Sequence, residues 1–191
     1  MTTDPGRLKA LAQAARVSGL TNQPSLDTIC RSVLEEADRG KRPLTDEEIR
    51  IITASSGVNQ QAVQSLRDNA EAFVQDAKAL LADQRPQLLQ PGGALHPASR
   101  AEACWRDCSD FFRVIVYAVA CGKAQFTDAE GMAALRELYA CMGVPRDGLN
   151  IALEQLKHLS ENLTTEPTTK TLVLAAFNHL IRELNKTAVK S

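Results

Sequence analysis

The sequence predicts an all-α fold, on three observations. Apolar residues recur at spacings of three and four along nearly the whole chain. Glycine (10) and proline (8) are few and fall between those stretches rather than inside them. No stretch reads convincingly as a strand. At 191 residues the chain has single-domain length and can bury a core without disulfide staples.

The elements follow in order. Residues 1–24 are polar at both ends, and Leu8, Leu11, Ala12 and Ala15 sit at the spacing of a short amphipathic helix. The pattern leaves open whether this stretch folds as a unit. From Ser25 onward, Leu26, Ile29, Cys30, Val33, Leu34 and Ala37 keep a helical rhythm that Gly40 and Pro43 close. Thr45, with Glu48 three residues on, is a capping box that opens a helix through Ile49, Ile51 and Ile52, ended by Ser55-Ser56-Gly57. One continuous stripe of Val63, Leu66, Ala70, Phe73, Ala77, Leu80 and Leu81 predicts a helix over 59–84, ended at Arg85-Pro86.

Pro91-Gly92-Gly93 and Pro97 mark a loop. A long helix is expected over 98–121, through Ala103, Asp107, Phe111, Val114, Tyr117 and Ala118, with Gly122 as its stop. Thr127 with Glu130 opens the next helix, which runs to Met142 and ends at Gly143 and Pro145. Asp147 caps another, to Leu159, and the last runs from Thr168 to Lys186. That makes seven or eight helices with short connections and no repeat of fixed period, which disfavours a solenoid. A globin-like packing around a pocket is one natural architecture for this count.

Composition removes several function classes. Lys and Arg total 22 against 23 Asp and Glu, so the surplus of cations that nucleic-acid binding requires is missing. Aromatic residues are 4%, which disfavours a base-stacking or carbohydrate platform. No apolar run approaches the roughly 20 residues of a membrane span. The opening stretch, up to Leu20, lacks the continuous apolar core of a secretory signal. Five cysteines, an odd number, fit a reducing compartment.

No phosphate loop, HExxH or G-x-S-x-G motif is present. His96, His158 and His179 fall on different elements, and nothing in their spacing singles out an axial haem ligand. Cys104 and Cys108 share a helix face, but no CxxC pair exists to complete a metal site. They read equally as small apolar residues facing a core. Their company is less easily explained. Cys104-Trp105-Arg106-Asp107-Cys108 puts a thiol, a guanidinium and a carboxylate within about one turn. A carboxylate at position 107, on the face of Cys108 and Phe111, is costly unless a cation or an N–H-rich group meets it. A tetrapyrrole with ring N–H groups and carboxylate tails would satisfy Asp107 and Arg106 together. An enzyme reading is poor, because no base is placed to activate the Cys104 thiol.

The stretch from Arg85 to Lys157 resembles the phycobiliproteins, and allophycocyanin subunits most closely. The resemblance is carried by Arg85-Pro86, Pro91-Gly92-Gly93, Cys104-x-Arg106-Asp107, Phe112-Arg113 with Tyr117-Ala118, and Gly122. Leu135-Arg136-Glu137-Leu138-Tyr139 and Gly143-Val144-Pro145 continue it. Weaker similarity reaches upstream to Leu44-Thr45 and downstream to the last helix. The resemblance implies an N-terminal extension over 1–24 and a phycobiliprotein-like globin domain over 25–191. Within that domain an N-terminal helix covers 25–43 and the globin core 44–191, with the N-terminal helices serving subunit pairing. It implies a linear tetrapyrrole (bilin) of the phycocyanobilin type, attached by a thioether to Cys104. Asp107 would meet the pyrrole nitrogens, and Arg106 and Arg100 the propionates.

Partners would be a second copy or a paired phycobiliprotein-like subunit, and the location cytoplasmic, at the thylakoid membrane through a phycobilisome. Several positions depart from the family pattern. Ala94 stands for an asparagine, Phe111-Phe112 for tyrosines and Lys123 for an aspartate. Arg50 stands where an aspartate pairs across the subunit interface, and Trp105 is bulky beside the cysteine. Two functions therefore stand beside each other. One is a pigment protein for light harvesting or photosensing. The other is a non-antenna helper or regulator in bilin biosynthesis or phycobilisome metabolism, binding tetrapyrrole non-covalently or not at all. A haem-type globin sensor using one histidine is a third, weaker class.

Overall fold

A computed structural model of the chain describes residues 4–187. Residues 1–3 of the extension and 188–191 of the globin-like stretch lie outside the described residues. Among the described residues there are nine α-helices, two 3-10 turns and one isolated antiparallel bridge, Ser18 with Thr127. The chain is all-α and globin-like, as the periodicity and the resemblance predict. No helix among the described residues is long and apolar enough to cross a membrane.

Helix α1 (Pro5–Ala14) starts on Asp4, whose carboxylate accepts from the Gly6 N–H at 3.1 Å, with Pro5 in the first turn where a missing donor costs nothing. Helix α2 (Thr28–Arg39) starts on Asp27, which accepts from the Cys30 N–H at 2.8 Å. It buries Cys30, Leu34 and Ala37 but leaves Ile29, expected in the same stripe, 66% exposed. Helix α3 (Asp46–Ser56) begins with the predicted capping box: Glu48 N–H donates to Thr45 Oγ1 at 3.2 Å, and Thr45 N–H to Glu48 Oε2 at 2.8 Å. Arg42 then grips the same carboxylate through two N–H donors, at 2.8 and 2.7 Å.

The stripe expected as one helix over 59–84 is two helices, α4 (Gln60–Asp68) and α5 (Ala70–Gln84). The break is at Asn69, whose side-chain amide turns back to donate to the Ser65 carbonyl at 2.9 Å. Asparagine competes in this way for helix backbone, and an apolar-period count does not register it. Both pieces still bury the stripe, through Val63 and Leu66 and then Phe73, Ala77 and Leu81.

Between α5 and α6 (Ala98–Ala120) the chain makes the Pro91-Gly92-Gly93 turn. A Cβ on Gly93 would lie 2.3 Å from the Gln87 carbonyl oxygen, so the turn closes only on a glycine. Helix α6 is the centre of the molecule. Every residue from Val114 to Ala120 is buried, the signature of a helix covered on all sides. Helices α5, α8 (Arg146–Leu163) and α9 (Pro167–Asn185) pack on it and on each other. Phe112 meets Phe73 edge-on and Phe177 at a tilt, each with centroids 6.0 Å apart.

Helix α7 (Ala129–Met142) is capped by Asp128, one residue after the expected Thr127; Asp128 accepts from the Gly131 N–H at 2.7 Å. Thr127 instead meets the His179 ring at 2.8 Å. Helix α1 lies against α7, which brings the N-terminal segment to the same side of the molecule as the first half of α6.

Candidate functional site

A cleft of about 580 Å³ opens between the first half of α6, the end of α7, the loop before α6 and the N-terminal segment. Cys104, Asp107 and Phe111 line it together, because positions three and four apart fall on one helix face. Asp107 is half-buried there. Its Oδ2 accepts from the Tyr139 hydroxyl of α7 at 2.6 Å, the one donor within reach among the described residues. The carboxylate therefore keeps unused acceptor capacity at the cleft. Burial pushes its pKa up, while the Tyr139 bond and the charges of Arg106 and Lys41 pull it down. The Tyr139 phenol is pushed strongly upward by burial and then by that carboxylate, so it stays a donor.

Cys104 is half-buried, and its thiol is raised first by burial and then by Asp107, with Arg100 opposing. Cys108, one turn on, is buried with a thiol pushed up to about 12 by burial. The two cysteines thus differ: Cys104 borders the cleft and Cys108 belongs to the core. Among the described residues no three His, Cys, Asp or Glu side chains gather as a metal site.

The structure brings Cys104, Asp107 and Arg100 to one cleft, and it places Arg106 elsewhere. Arg100 forks onto two backbone carbonyls, Nε to Ala94 at 2.9 Å and Nη2 to Met142 at 2.8 Å, tying the start of α6 to the end of α7. Arg106 is exposed and does not line the cleft. None of the three histidines lines it either; His179 is buried against Phe126, and burial pushes its pKa down. The departures resolve locally. Ala94 contributes a carbonyl, Phe111 lines the cleft, Phe112 turns into the core, and Arg50 pairs within α3 with Glu47 at 2.5 Å. Trp105 is buried, and its indole N–H finds no acceptor among the described residues.

Among the contributors missed by sequence reasoning are Tyr139, Lys41 and, from the N-terminal segment, Ala12 and Ala15 to Ser18. Tyr139 had a signal. Asp107 needs a donor and the chain has only two tyrosines. Lys41 and the N-terminal segment had none, since only the folded chain brings them to α6. Within the cleft lining, Arg113 bonds Asp38 of α2 at 2.9 Å and the Tyr117 hydroxyl at 2.9 Å, while that hydroxyl donates to the Arg42 carbonyl. This lattice holds the end of α2, and Lys41 after it, against α6.

Comparison with known proteins finds relatives over most of the chain. The model of the phycobilisome protein family matches residues 32–184. Over 145 residues the chain is 32% identical to the C-phycocyanin beta chain of Aglaothamnion neglectum, covering 74% of this chain and 83% of the relative. It is 31% identical over 147 residues to the C-phycocyanin beta chain of Pyropia haitanensis, covering 75% and 84%. With the C-phycocyanin-2 beta subunit of Microchaete diplosiphon it shares 29% over 138 residues, covering 71% and 80%. These relatives carry phycocyanin names where the motif set pointed to allophycocyanin. The matched stretch runs from within α2 into α9 and takes in α6 and α7 whole, including Cys104, Asp107 and Tyr139. The helical architecture, the cleft face of α6 and the extent of this match together mean that the chain belongs to the phycobilisome protein family.

Proposed function

We propose that the chain binds a linear tetrapyrrole of the phycocyanobilin type in the cleft beside Cys104 and serves light harvesting or photosensing. One observation carries this reading. A half-buried carboxylate, Asp107, faces the cleft with one donor among the described residues, Tyr139, and so retains acceptor capacity for the N–H groups of a ligand. The cleft volume falls in the ordinary range for ligand sites, roughly 300–1,000 Å³. The names of the phycocyanin relatives point the same way.

The roles then divide as follows. Asp107 accepts from pyrrole nitrogens, and Tyr139 holds its carboxylate in place. Arg100 stands at the rim near the propionates. Arg106, on the exposed side of α6, serves a propionate only where the tail reaches around the helix. Cys104 would supply the sulfur of a thioether by adding, as the thiolate, across a side-chain carbon–carbon double bond of the tetrapyrrole, whose π bond is lost as the proton passes to the neighbouring carbon; its raised thiol must first lose that proton. When bound, the tetrapyrrole supplies visible-light absorption. Subunit pairing through the N-terminal helices is supported by Ile29, exposed on α2, and association with a phycobilisome at the thylakoid by the family.

The test is co-expression with a source of phycocyanobilin. The reading expects a coloured band that survives denaturation, fluoresces with zinc and is lost in Cys104→Ser. A colourless wild-type chain, under conditions that load a phycocyanin control, would overturn covalent attachment. The raised Cys104 thiol and the outward Arg106 favour a second reading, a helper or regulator that holds tetrapyrrole reversibly. It expects binding that survives Cys104→Ser and weakens in Asp107→Ala.

A further inference from the structure

The N-terminal segment ahead of α2 is fastened to the start of α7 by features of both partners. Gly19 N–H donates to the Phe126 carbonyl at 2.7 Å, and Asp128 N–H to the Val17 carbonyl at 2.9 Å, around the Ser18–Thr127 bridge. Arg16 pairs with Asp128 at 2.8 Å, and Arg7 with Glu137 at 2.5 Å. The backbones approach where side chains are missing. A Cβ on Gly131 would lie 2.3 Å from the Arg16 carbonyl oxygen, and one on Gly19 2.9 Å from that of Thr127. Glycine at both facing positions is what so close an approach requires. The segment held in this way lines the cleft opposite α6, with Ala12, Ala15 and Val17 as its apolar members.

We propose that residues 12–18 are a built-in wall of the tetrapyrrole cleft, supplied by the chain's own N-terminal segment. The proposal rests on the tetrapyrrole reading above. Small apolar side chains suit the flat face of a conjugated ring system, and Arg16 and Ser18 leave polar atoms at its edge. By keeping water from Asp107, the wall strengthens the carboxylate's bonds to ligand N–H groups, since electrostatic attraction rises as local polarity falls. The wall also occupies a face of α7, so another chain reaching that face must first displace it.

The experiment uses the full-length chain with biliverdin as the probe, titrated by absorbance, and follows hydrogen exchange at the Gly19 and Asp128 amides without ligand. In wild type both amides are protected. Gly131→Val pushes the segment off from the α7 side and is expected to abolish that protection and weaken biliverdin at least tenfold. Gly19→Val does the same from the segment side and decides the matter where Gly131→Val fails to fold. Loss of protection with unchanged or tighter binding would overturn the wall while leaving the tetrapyrrole reading intact. Retained protection in both variants would overturn the glycine fastening. A wild-type chain that binds neither biliverdin nor phycocyanobilin would overturn the tetrapyrrole reading, and the wall with it.

Discussion

Replacing Lys41 by glycine should stabilise the fold and weaken the site. Helix α2 ends at Arg39, and Gly40 follows in an ordinary helical conformation at φ −79°. Lys41 takes the left-handed position, at φ 45°, although a glycine stands next to it. A left-handed backbone costs a residue with a Cβ roughly 1–2 kcal/mol. Glycine removes that strain but gives back about 0.5–1 kcal/mol through the freer unfolded chain. The net expectation for Lys41→Gly is a gain of about 0.5–1 kcal/mol. For a domain of this size that is a rise of roughly 1–4 °C in Tm. The side chain that occupies this position lines the cleft, makes no ion pair among the described residues and acts on Asp107 as a favourable charge. It is placed to meet a carboxylate tail. An exposed ion pair of this kind is worth about 0.2–1 kcal/mol, so Lys41→Gly should weaken biliverdin about 1.4- to fivefold. Its dimethyl ester, without charged tails, should lose nothing. Thermal melting of the ligand-free protein and parallel titrations with acid and ester measure both effects. A Tm that stays or falls refutes the strain argument, and equal losses for acid and ester refute the tail contact.

Three further outcomes follow from the same geometry. Tyr139→Phe removes the one donor on Asp107 and should raise the carboxyl pKa further; a hydrogen bond to a charged group is worth about 1.5–3 kcal/mol, so urea titration should show a loss of about 1–3 kcal/mol. Glu48 is held down to about 2 by Arg42 and the Thr45 cap, so its stabilisation is complete above pH 4.5 and lost as pH falls toward 2. Glu48→Gln should remove on the order of 1–2 kcal/mol at pH 7 after solvent screening, and should flatten the acid limb of a stability–pH curve. Asp27 and Glu166, also held down to about 2, and the lowered Asp46, Glu47 and Asp128 keep part of that slope. Titration with a thiol reagent at pH 8 should label Cys104 and Cys141, both half-buried, well before Cys30, Cys108 and Cys121, which react on unfolding. Early labelling of Cys108 would contradict its placement in the core.

The parts of the fold legible in the sequence were those set by neighbouring residues. The capping box at Thr45 and Glu48 and the stripes of α2, α5 and α6 depend on residues within a turn or two, and they formed where spacing placed them. Asp147, expected as a cap, instead lies in the first turn of α8, which starts after Pro145; the other boundary errors were of one kind. Asn69 divides a stripe through its side-chain bond to Ser65, and Asp128 displaces Thr127 as cap because Thr127 is taken by His179, 52 residues away. The cleft divides in the same way. Cys104 and Asp107 were visible because α6 alone puts them on one face. Tyr139, Lys41 and the segment from Ala12 to Ser18 come from other elements, and Arg100 spends its fork on carbonyls that no motif encodes.

Three local costs converge on one cleft, and their convergence is an argument for function independent of resemblance. Asp107 is a carboxylate kept half-buried with a single donor, and the ligand-free fold would be better served by a neutral side chain there. Lys41 occupies a left-handed position that its neighbour could fill without strain. Cys104 is a half-buried thiol at the cleft, raised by burial and by the nearby Asp107. At the capping box of α3 and along α5, by contrast, local preference and tertiary packing agree. Sequences hold such disagreements where a site needs them. The three lie on two different elements, α6 and the turn after α2, so no single structural defect accounts for them. A ligand that offers N–H groups to Asp107, a carboxylate to the Lys41 side chain and an electrophilic carbon to Cys104 would engage all three side chains at once, and a linear tetrapyrrole offers all of these.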